Sequence, residues 1–184
     1  LPGKRVEHIL GFGETQVFKR ADAGYELTLL PAGHILGSSM AYILAGGKSL
    51  LYSGDFKLRP GLSAEACQPR RADVLVMETT FGRPQYVLPP AEAVMEAVVR
   101  FCREALDNDE TPVLLAYPLG KSQELLSGLR AAGFRLTLHE SVWVATRIYE
   151  EFGHSFPPYQ RYEAGKAHGS VVLCPPGPVN LPMM

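Results

Sequence analysis

The sequence predicts an α/β protein in which a strand-rich segment precedes a segment of alternating strands and helices. In the first eighty residues, short apolar stretches follow one another and are separated by glycine-containing breaks. After Pro89-Pro90, strand-like and helix-like stretches alternate, as expected of a mostly parallel sheet flanked by helices. This change of pattern places a domain boundary near Arg83–Pro90 and predicts two domains, residues 1–88 and residues 89–184.

Six strands are predicted in the first domain. They are Val6–Leu10, Gln16–Lys19, Tyr25–Leu30, Ala41–Leu44, Ser49–Ser53 and Val74–Met77, with breaks at Gly11–Glu14 and Ala21–Gly24. Gly46-Gly47 suits a tight hairpin turn between the fourth and fifth strands. The sixth strand is continuously apolar, which is typical of a strand buried on both faces.

The second domain is predicted to contain three helices and three strands. They are helix Ala91–Leu106, strand Val113–Tyr117, helix Ser122–Ala132, strand Phe134–Leu138, helix Val142–Phe152 and strand Val171–Cys174. The first helix would bury Val94, Val98, Phe101 and Ala105, and Gly133 would end the second. We expect the strand Val113–Tyr117 to be buried and Gly153–Gly169 to form a long surface loop.

Composition excludes several classes of protein. The 184 residues are 46% hydrophobic and 20% charged, and the formal net charge of −1 gives no overall attraction for nucleic acid. No apolar run is long enough to cross a bilayer, and no signal-peptide pattern opens the chain. The three cysteines form no CxxC pair and favour reduced thiols, so we expect a cytoplasmic protein.

Two metal-competent side chains follow predicted strands of the first domain. His34 comes after Tyr25–Leu30, and Asp55 comes after Ser49–Ser53. Strand ends are where α/β-type folds collect ligands, and imidazole and carboxylate together suit a zinc-type cation. A lone histidine is usually a surface or core group, and an aspartate after glycine is often a turn former. Zinc normally takes three or four protein ligands, so these two residues form only part of a site.

Small and acidic residues extend this candidate site. Gly37 and Ser38 could bring free backbone N–H groups close to an anion. Glu78 ends the strand Val74–Met77, and a carboxylate at the end of a buried strand is costly unless it is paired or hydrogen-bonded. We interpret Glu78 as a catalytic or ligand-orienting group, with a capping role in the following turn as the alternative.

The strings PAGHILGSSM, LLYSGDFKLRP and VLVMETTFGRP resemble the metallo-β-lactamase superfamily, specifically its β-CASP nuclease group. Within that group they are most similar to ligase-associated DNA exonucleases and mRNA 3′-end processing exonucleases. The resemblance runs from about residue 6 to about residue 177, and it implies part of an αββα sandwich in residues 1–88 and a β-CASP cap in residues 89–184. It implies that His34 is a zinc ligand, Asp55 a metal-bridging catalytic aspartate, and Glu78 the acidic residue of the first β-CASP motif.

The resemblance also implies zinc-dependent hydrolysis of phosphodiester bonds in DNA or RNA, by two zinc ions that activate a bridging water. It implies DNA or RNA as substrate, a DNA ligase or other repair or processing proteins as partners, and no membrane. Ser38, Lys57 and Lys121 are weaker candidates for substrate contacts. The resemblance does not separate DNA from RNA, and neither cleavage polarity nor oligomeric state follows from it.

The sequence departs from the family pattern at both ends. An HxHxDH string should precede His34 and further histidine motifs should follow the cap, yet neither occurs and Val179–Met184 contains no histidine. We expect the chain to be a fragment that is inactive alone. The alternatives are a relative that has lost its metals and serves as a scaffold or nucleic-acid-binding subunit, and a small-molecule metallo-hydrolase. The size of the segment after Pro90 argues against the last.

Leu119-Gly120-Lys121-Ser122 lies between a predicted strand and helix, where a P-loop would be. A P-loop needs glycine five positions before Gly120, and Leu115 stands there, so a nucleoside triphosphate site is excluded. A helix N-terminus beside Lys121 could still hold a phosphate.

The remaining histidines and the basic residues near the motifs each have an ordinary explanation. We interpret the histidines as satisfied surface groups; they are His139, His154 and His168. The basic residues could line a nucleic-acid strand or form a solvated face; they are Lys57, Arg59, Arg70, Arg71 and Arg83.

Overall fold

The computed structural model describes residues 6–19 and 23–177, which fall into two compact units, Leu1–Arg83 and Pro84–Met184. The expectation for Val179–Met184 and half of the predicted break at Ala21–Gly24 lie outside the described residues. Helices and sheets are both present, which confirms the α/β class. The sandwich-plus-cap arrangement stays a prediction. Within the described ranges, none of the helices has the length and hydropathy needed to span a bilayer.

The first unit contains a five-stranded sheet whose strands lie side by side in chain order. They are β1 (Thr15–Lys19), β2 (Gly24–Pro31), β3 (Ser39–Ala45), β4 (Lys48–Tyr52) and β5 (Val74–Val76). Strands β1 to β4 pair antiparallel, and β5 joins β4 in parallel. Gly46 and Gly47 have φ values of 55° and 74° and close the β3–β4 hairpin as predicted. Leu30, Met40 and Leu51 form the centre of the core of this unit.

Two predictions for the first unit are wrong. Val6–Leu10 is not a strand, and the nearest pairing is an isolated bridge between Phe12 and Leu29. β5 is exposed rather than buried on both faces, with Leu75 56% accessible, and it is the last strand of the sheet with only β4 beside it. A continuous apolar run indicates a strand but does not distinguish a central position from an edge.

The connection from β2 to β3, residues 32–38, is called the His34 loop below. The Ala32 N–H donates to the Ser38 carbonyl oxygen at 2.8 Å, which closes the loop, and the Lys57 N–H donates to the Ala32 carbonyl oxygen at 2.9 Å. Gly33 has a φ of 74°, and a Cβ there would lie 2.6 Å from the Lys57 carbonyl oxygen. Backbone conformation and close packing therefore both require glycine at position 33.

The second unit contains a four-stranded parallel sheet with helices between its strands, which confirms the predicted strand–helix alternation. The helices are α1 (Ala91–Asp107), α2 (Lys121–Gly128) and α3 (Glu140–Glu151). The strands are β6 (Val113–Leu115), β7 (Leu136–Leu138), β8 (Tyr159–Arg161) and β9 (Val171–Cys174), in the spatial order β6-β9-β7-β8. All four residues of β9 are buried, and Leu126, Leu138 and Val142 complete the centre of the core.

Three further predictions are corrected in the second unit. β6 lies at the sheet edge and its first and last residues are exposed, so the expectation of a buried strand is wrong. β8 lies inside the stretch predicted to be a loop. The buried side of α1 runs through Met95, Val98, Cys102 and Ala105, which leaves Val94 and Phe101 exposed.

We predict that Gly33→Ala destabilises the first unit more than Gly37→Ala. Both glycines have nearly the same positive φ, 74° and 75°, so both substitutions incur the cost of a left-handed alanine, about 1–2 kcal/mol. Only at position 33 does the new Cβ meet backbone, which adds about 1–3 kcal/mol of steric strain. Amide hydrogen exchange of β2 and β3 measures the difference. Equal effects of the two substitutions would show that the packing around Gly33 relaxes freely.

We predict a pH-dependent contribution to stability from Asp73, directly before β5. Its Oδ2 accepts the Ser49 hydroxyl at 2.7 Å and the Ser49 N–H at 2.8 Å, and the hydroxyl followed by the N–H lowers the pKa of Asp73. This contribution is fully present above the ordinary aspartate pKa of about 3.9 and is lost as the pH falls through the lowered folded-state value.

Urea unfolding of the wild type and of Asp73→Asn at neutral and at strongly acidic pH tests this contribution. Asp73→Asn should have a lower free energy of unfolding than the wild type at neutral pH, and this difference should become smaller in acid. Ser49→Ala is the matched control, because it removes the hydroxyl donor and leaves the carboxylate. Ser49→Ala should show part of the same loss in the free energy of unfolding at neutral pH. A difference that is independent of pH would contradict the prediction.

Candidate functional site

His34, Asp55 and Glu78 follow three strands that end at the same edge of the first sheet. β3 runs antiparallel to both β2 and β4, and β5 runs parallel to β4, so β2, β4 and β5 point in one direction. His34 and Asp55 each come three residues after their strand, and Glu78 comes two residues after β5. The structure thus brings the three predicted residues to one edge.

Ser53 connects the ends of β4 and β5. Its N–H donates to the Val76 carbonyl oxygen at 2.9 Å, and its Oγ accepts the Glu78 N–H at 3.3 Å. The same hydroxyl donates to the Gly54 carbonyl oxygen at 2.7 Å. Ser53 is 3% exposed, so this hydroxyl acts inside the protein. Sequence reasoning missed Ser53, although a small polar residue between an apolar strand and Gly-Asp was the available signal.

Most of the backbone donors of the His34 loop are hydrogen-bonded within the protein. Ser38 Oγ accepts the His34 N–H at 3.0 Å and the Ile35 N–H at 3.2 Å, and the Ser38 N–H donates to the Ile35 carbonyl oxygen. The Gly37 N–H donates to Glu65 Oε2 at 3.1 Å. The expectation of free N–H groups at Gly37 and Ser38 is therefore wrong. A substrate contact by Ser38 stays a prediction, and the residue has a clear structural role in holding the exposed His34.

Glu78 is fixed by the turn that follows it. Its Oε2 accepts the Thr80 N–H at 2.7 Å. The pKa of Glu78 is lowered by hydrogen bonds from the Thr80 backbone and side chain and, to a smaller extent, by the charge of His34. Glu78 thus has the capping role in the following turn that was predicted from the sequence as the alternative.

The donors are of the right kind for zinc but are incomplete in number. In residues 6–19 and 23–177, no group of three or more histidine, cysteine, aspartate or glutamate side chains is arranged to hold a metal ion. His34 and Asp55 are both exposed and supply one nitrogen and one carboxylate. A protein zinc site normally uses three or four such ligands, so the described residues do not form one.

The basic residues of the first unit have different environments. Lys57 is half-buried, follows Asp55 by two residues, and donates its N–H to the His34 loop. The Arg70 guanidinium lies 4.7 Å from the centroid of the Tyr42 ring, which gives it a packing role. Arg59, Arg71 and Arg83 are exposed, so a solvated face and a nucleic-acid contact both remain open for them.

Lys121 is exposed at the start of α2, but the backbone donors around it are occupied. The Gly120 N–H donates to Gln123 Oε1 at 2.7 Å, and the Ser122 N–H and Oγ both donate to the Tyr117 carbonyl oxygen. Gln123 is fully buried. A phosphate at this helix N-terminus would find these N–H groups already bonded, so the hypothesis rests on the Lys121 ammonium alone.

The three histidines of the second unit have local partners, which supports their interpretation as satisfied groups. His139 caps α3, where its Nδ1 accepts the Ser141 N–H at 3.3 Å. The His154 ring packs against Tyr149 with centroids 5.5 Å apart. His168 Nε2 lies 3.3 Å from Asp109 Oδ1.

Comparison with known proteins identifies relatives that are all much longer than this chain. It is 49% identical over 177 residues to an Opitutus terrae protein named "Probable DNA ligase", a match that covers 96% of this chain and 17% of the relative. It is 31% identical over 137 residues to the Methanocaldococcus jannaschii "Transcription termination factor FttA", covering 69% of this chain and 22% of that protein. A third relative, the "RNase J-like protein" of the same archaeon, is 30% identical over 99 residues, 52% of this chain and 23% of its own length.

No family model matches the chain. The chain spans less than a quarter of the length of each of the three relatives named above. The similarity to a termination factor, an RNase J-like protein and a protein named as a DNA ligase supports the metallo-β-lactamase superfamily and the β-CASP nuclease group that the three motifs resemble.

Proposed function

We propose that this chain forms part of a zinc-dependent nuclease that hydrolyses phosphodiester bonds in DNA or RNA. The observation that carries the proposal is the meeting of His34, Asp55 and Glu78 at one sheet edge, with Ser53 connecting the loops of the last two. Relatives named as an RNase J-like protein and a DNA ligase support nucleic acid as the substrate class.

In this proposal His34 and Asp55 hold the metal together with ligands from outside the described residues. Bound zinc would lower the pKa of a coordinated water and neutralise charge on the phosphate. Glu78 acts as a fixed carboxylate: its lowered pKa keeps it ionised at neutral pH, and its bond to Thr80 holds its orientation. It therefore orients a ligand or water rather than donating a proton.

The proposal also covers the cofactors, the substrate, the partner, the cellular location and the fold of each unit. We propose two zinc ions as cofactors, DNA or RNA as substrate, a DNA ligase or another repair or processing protein as partner, and a cytoplasmic location. We also propose that the first unit belongs to a metallo-β-lactamase sandwich and the second to a β-CASP cap. The similarity to the Opitutus terrae protein supports the ligase association, and the similarity to the termination factor supports the alternative of an RNA substrate.

We predict that His34→Ala and Asp55→Ala each lower metal-dependent nuclease activity of the full-length gene product that contains these residues. The expected loss is about a hundredfold or more, because changes to groups that only support metal ligands already cost 10–100-fold. Cleavage of end-labelled single-stranded DNA and RNA with added zinc, and its inhibition by EDTA, measures the effect.

His168→Ala and Asp107→Ala are matched controls for these substitutions. They remove the same two side-chain types from exposed positions in the second unit, and they should leave activity unchanged. Full activity after both His34→Ala and Asp55→Ala would overturn the catalytic proposal. A full-length product that binds nucleic acid but neither binds zinc nor cleaves would establish the scaffold alternative.

We predict that the 184-residue chain alone binds zinc weakly, and that His34→Ala abolishes what binding there is. One imidazole and one carboxylate supply two of the three or four ligands that a protein zinc site needs. Competition with a chromophoric zinc chelator measures the affinity. Tight binding of one or more zinc ions per chain would show that the described residues contain further ligands.

A further inference from the structure

A recess of about 560 Å³ opens in the second unit, on the side where β7 and β8 begin. It is lined by the segment between α2 and β7, which carries Arg130, Phe134 and Arg135, and by Pro157-Pro158 before β8. β7 and β8 are parallel and aligned from Leu136 and Tyr159, so both segments enter the sheet at its amino-terminal edge. His139 follows β7 at the opposite edge of the same sheet.

Both arginines of the recess retain hydrogen-bonding capacity. Arg130 Nη2 donates to the Ser155 carbonyl oxygen and, at 3.2 Å, to Ser155 Oγ. Arg135 Nη2 donates to Gln160 Oε1 at 3.3 Å and to the Lys166 carbonyl oxygen at 3.4 Å. The four oxygens that accept these hydrogen bonds are all neutral. A guanidinium has five N–H donors, so most of the donors on each arginine remain for a ligand.

The walls of the recess are apolar. Leu129 and Leu136 are almost fully buried, and Phe134 and the two prolines complete the lining. The Tyr159 hydroxyl is buried and has no hydrogen-bond partner among the described residues, and this tyrosine contributes to the lining. Burial is the main cause that raises the pKa of Tyr159, which keeps the phenol neutral. Cationic donors beside flat apolar surfaces suit a ligand with a planar ring and an anionic group.

We propose that this recess binds a nucleoside monophosphate, with the phosphate on Arg130 and Arg135 and the base against Phe134 and the prolines. Its volume lies within the range of about 300–1,000 Å³ that small-molecule sites occupy. Guanidinium pairs phosphate oxygens bidentately, and a nucleobase stacks on aromatic and apolar side chains. The nucleotide can be free or can be the phosphorylated end of a strand, because both present the same chemistry.

The site stands independently of the proposed nuclease activity, since it uses residues of the second unit and requires no metal. Isothermal titration calorimetry of the 184-residue chain in EDTA tests it with three probes: AMP, adenosine and inorganic phosphate. AMP should bind at least about tenfold more tightly than either other probe, because only AMP carries both groups that the recess recognises.

Arg135→Gln is the decisive variant, because the hydrogen bonds of Arg135 are long and its loss should disturb the fold least. It should weaken AMP binding by about tenfold or more, as expected for the loss of a charge-assisted contact. Arg103→Gln is the matched control: Arg103 is exposed on α1 and does not line the recess. Circular dichroism checks that both variants remain folded.

The source of the nucleotide is resolved by competition with a short single-stranded oligonucleotide. Competition that requires its 5′-phosphate identifies a strand end as the ligand, and failure to compete identifies the free nucleotide. The proposal is overturned if AMP does not bind, if inorganic phosphate binds as tightly as AMP, or if Arg135→Gln and Arg103→Gln have equal affinity.

Discussion

The common direction of β2, β4 and β5 is the constraint on which the candidate site depends. β3 runs antiparallel between β2 and β4, so a simple hairpin returns the chain to the edge it left and places Asp55 beside the loop of His34. β5 then pairs in parallel with β4 and adds Glu78 to the same edge. The buried Ser53 hydroxyl holds the segments after β4 and β5 in a fixed geometry, because it hydrogen-bonds to the backbone of both Gly54 and Glu78.

The His34 loop is rigid for a related reason. Its N–H groups donate to Ser38, Ile35 and Glu65, and Gly33 packs against backbone beneath it. The N–H groups of residues 32, 34, 35, 37 and 38 are already hydrogen-bonded, so the loop cannot offer them to an anion, but it can hold a side chain in place. Such a loop presents the imidazole of His34 at little entropic cost when a ligand binds.

Local patterns in the sequence predicted the element types and the three motif residues, but not which strands lie at an edge. The apolar runs of β5 and β6 look like central strands, yet both are edge strands with exposed residues, because edge position depends on pairing with distant segments. The contacts that support the site were missed for the same reason. Ser53 and Glu65 act through hydrogen bonds to residues 25 and 28 positions away, which no local pattern shows.

Metal binding and folding are separable in this chain. In a structural zinc site the ligands are unpaired without the metal, and binding free energy is folding free energy. His34 and Asp55 are instead exposed, so water solvates both side chains and neither needs a cation to be stable. The edge is organised by the strand ladders, the Ser53 bonds and the bond from Glu78 to Thr80, none of which involves these two side chains. A cation would therefore meet a preformed arrangement, and its affinity would depend on the number of ligands that join His34 and Asp55.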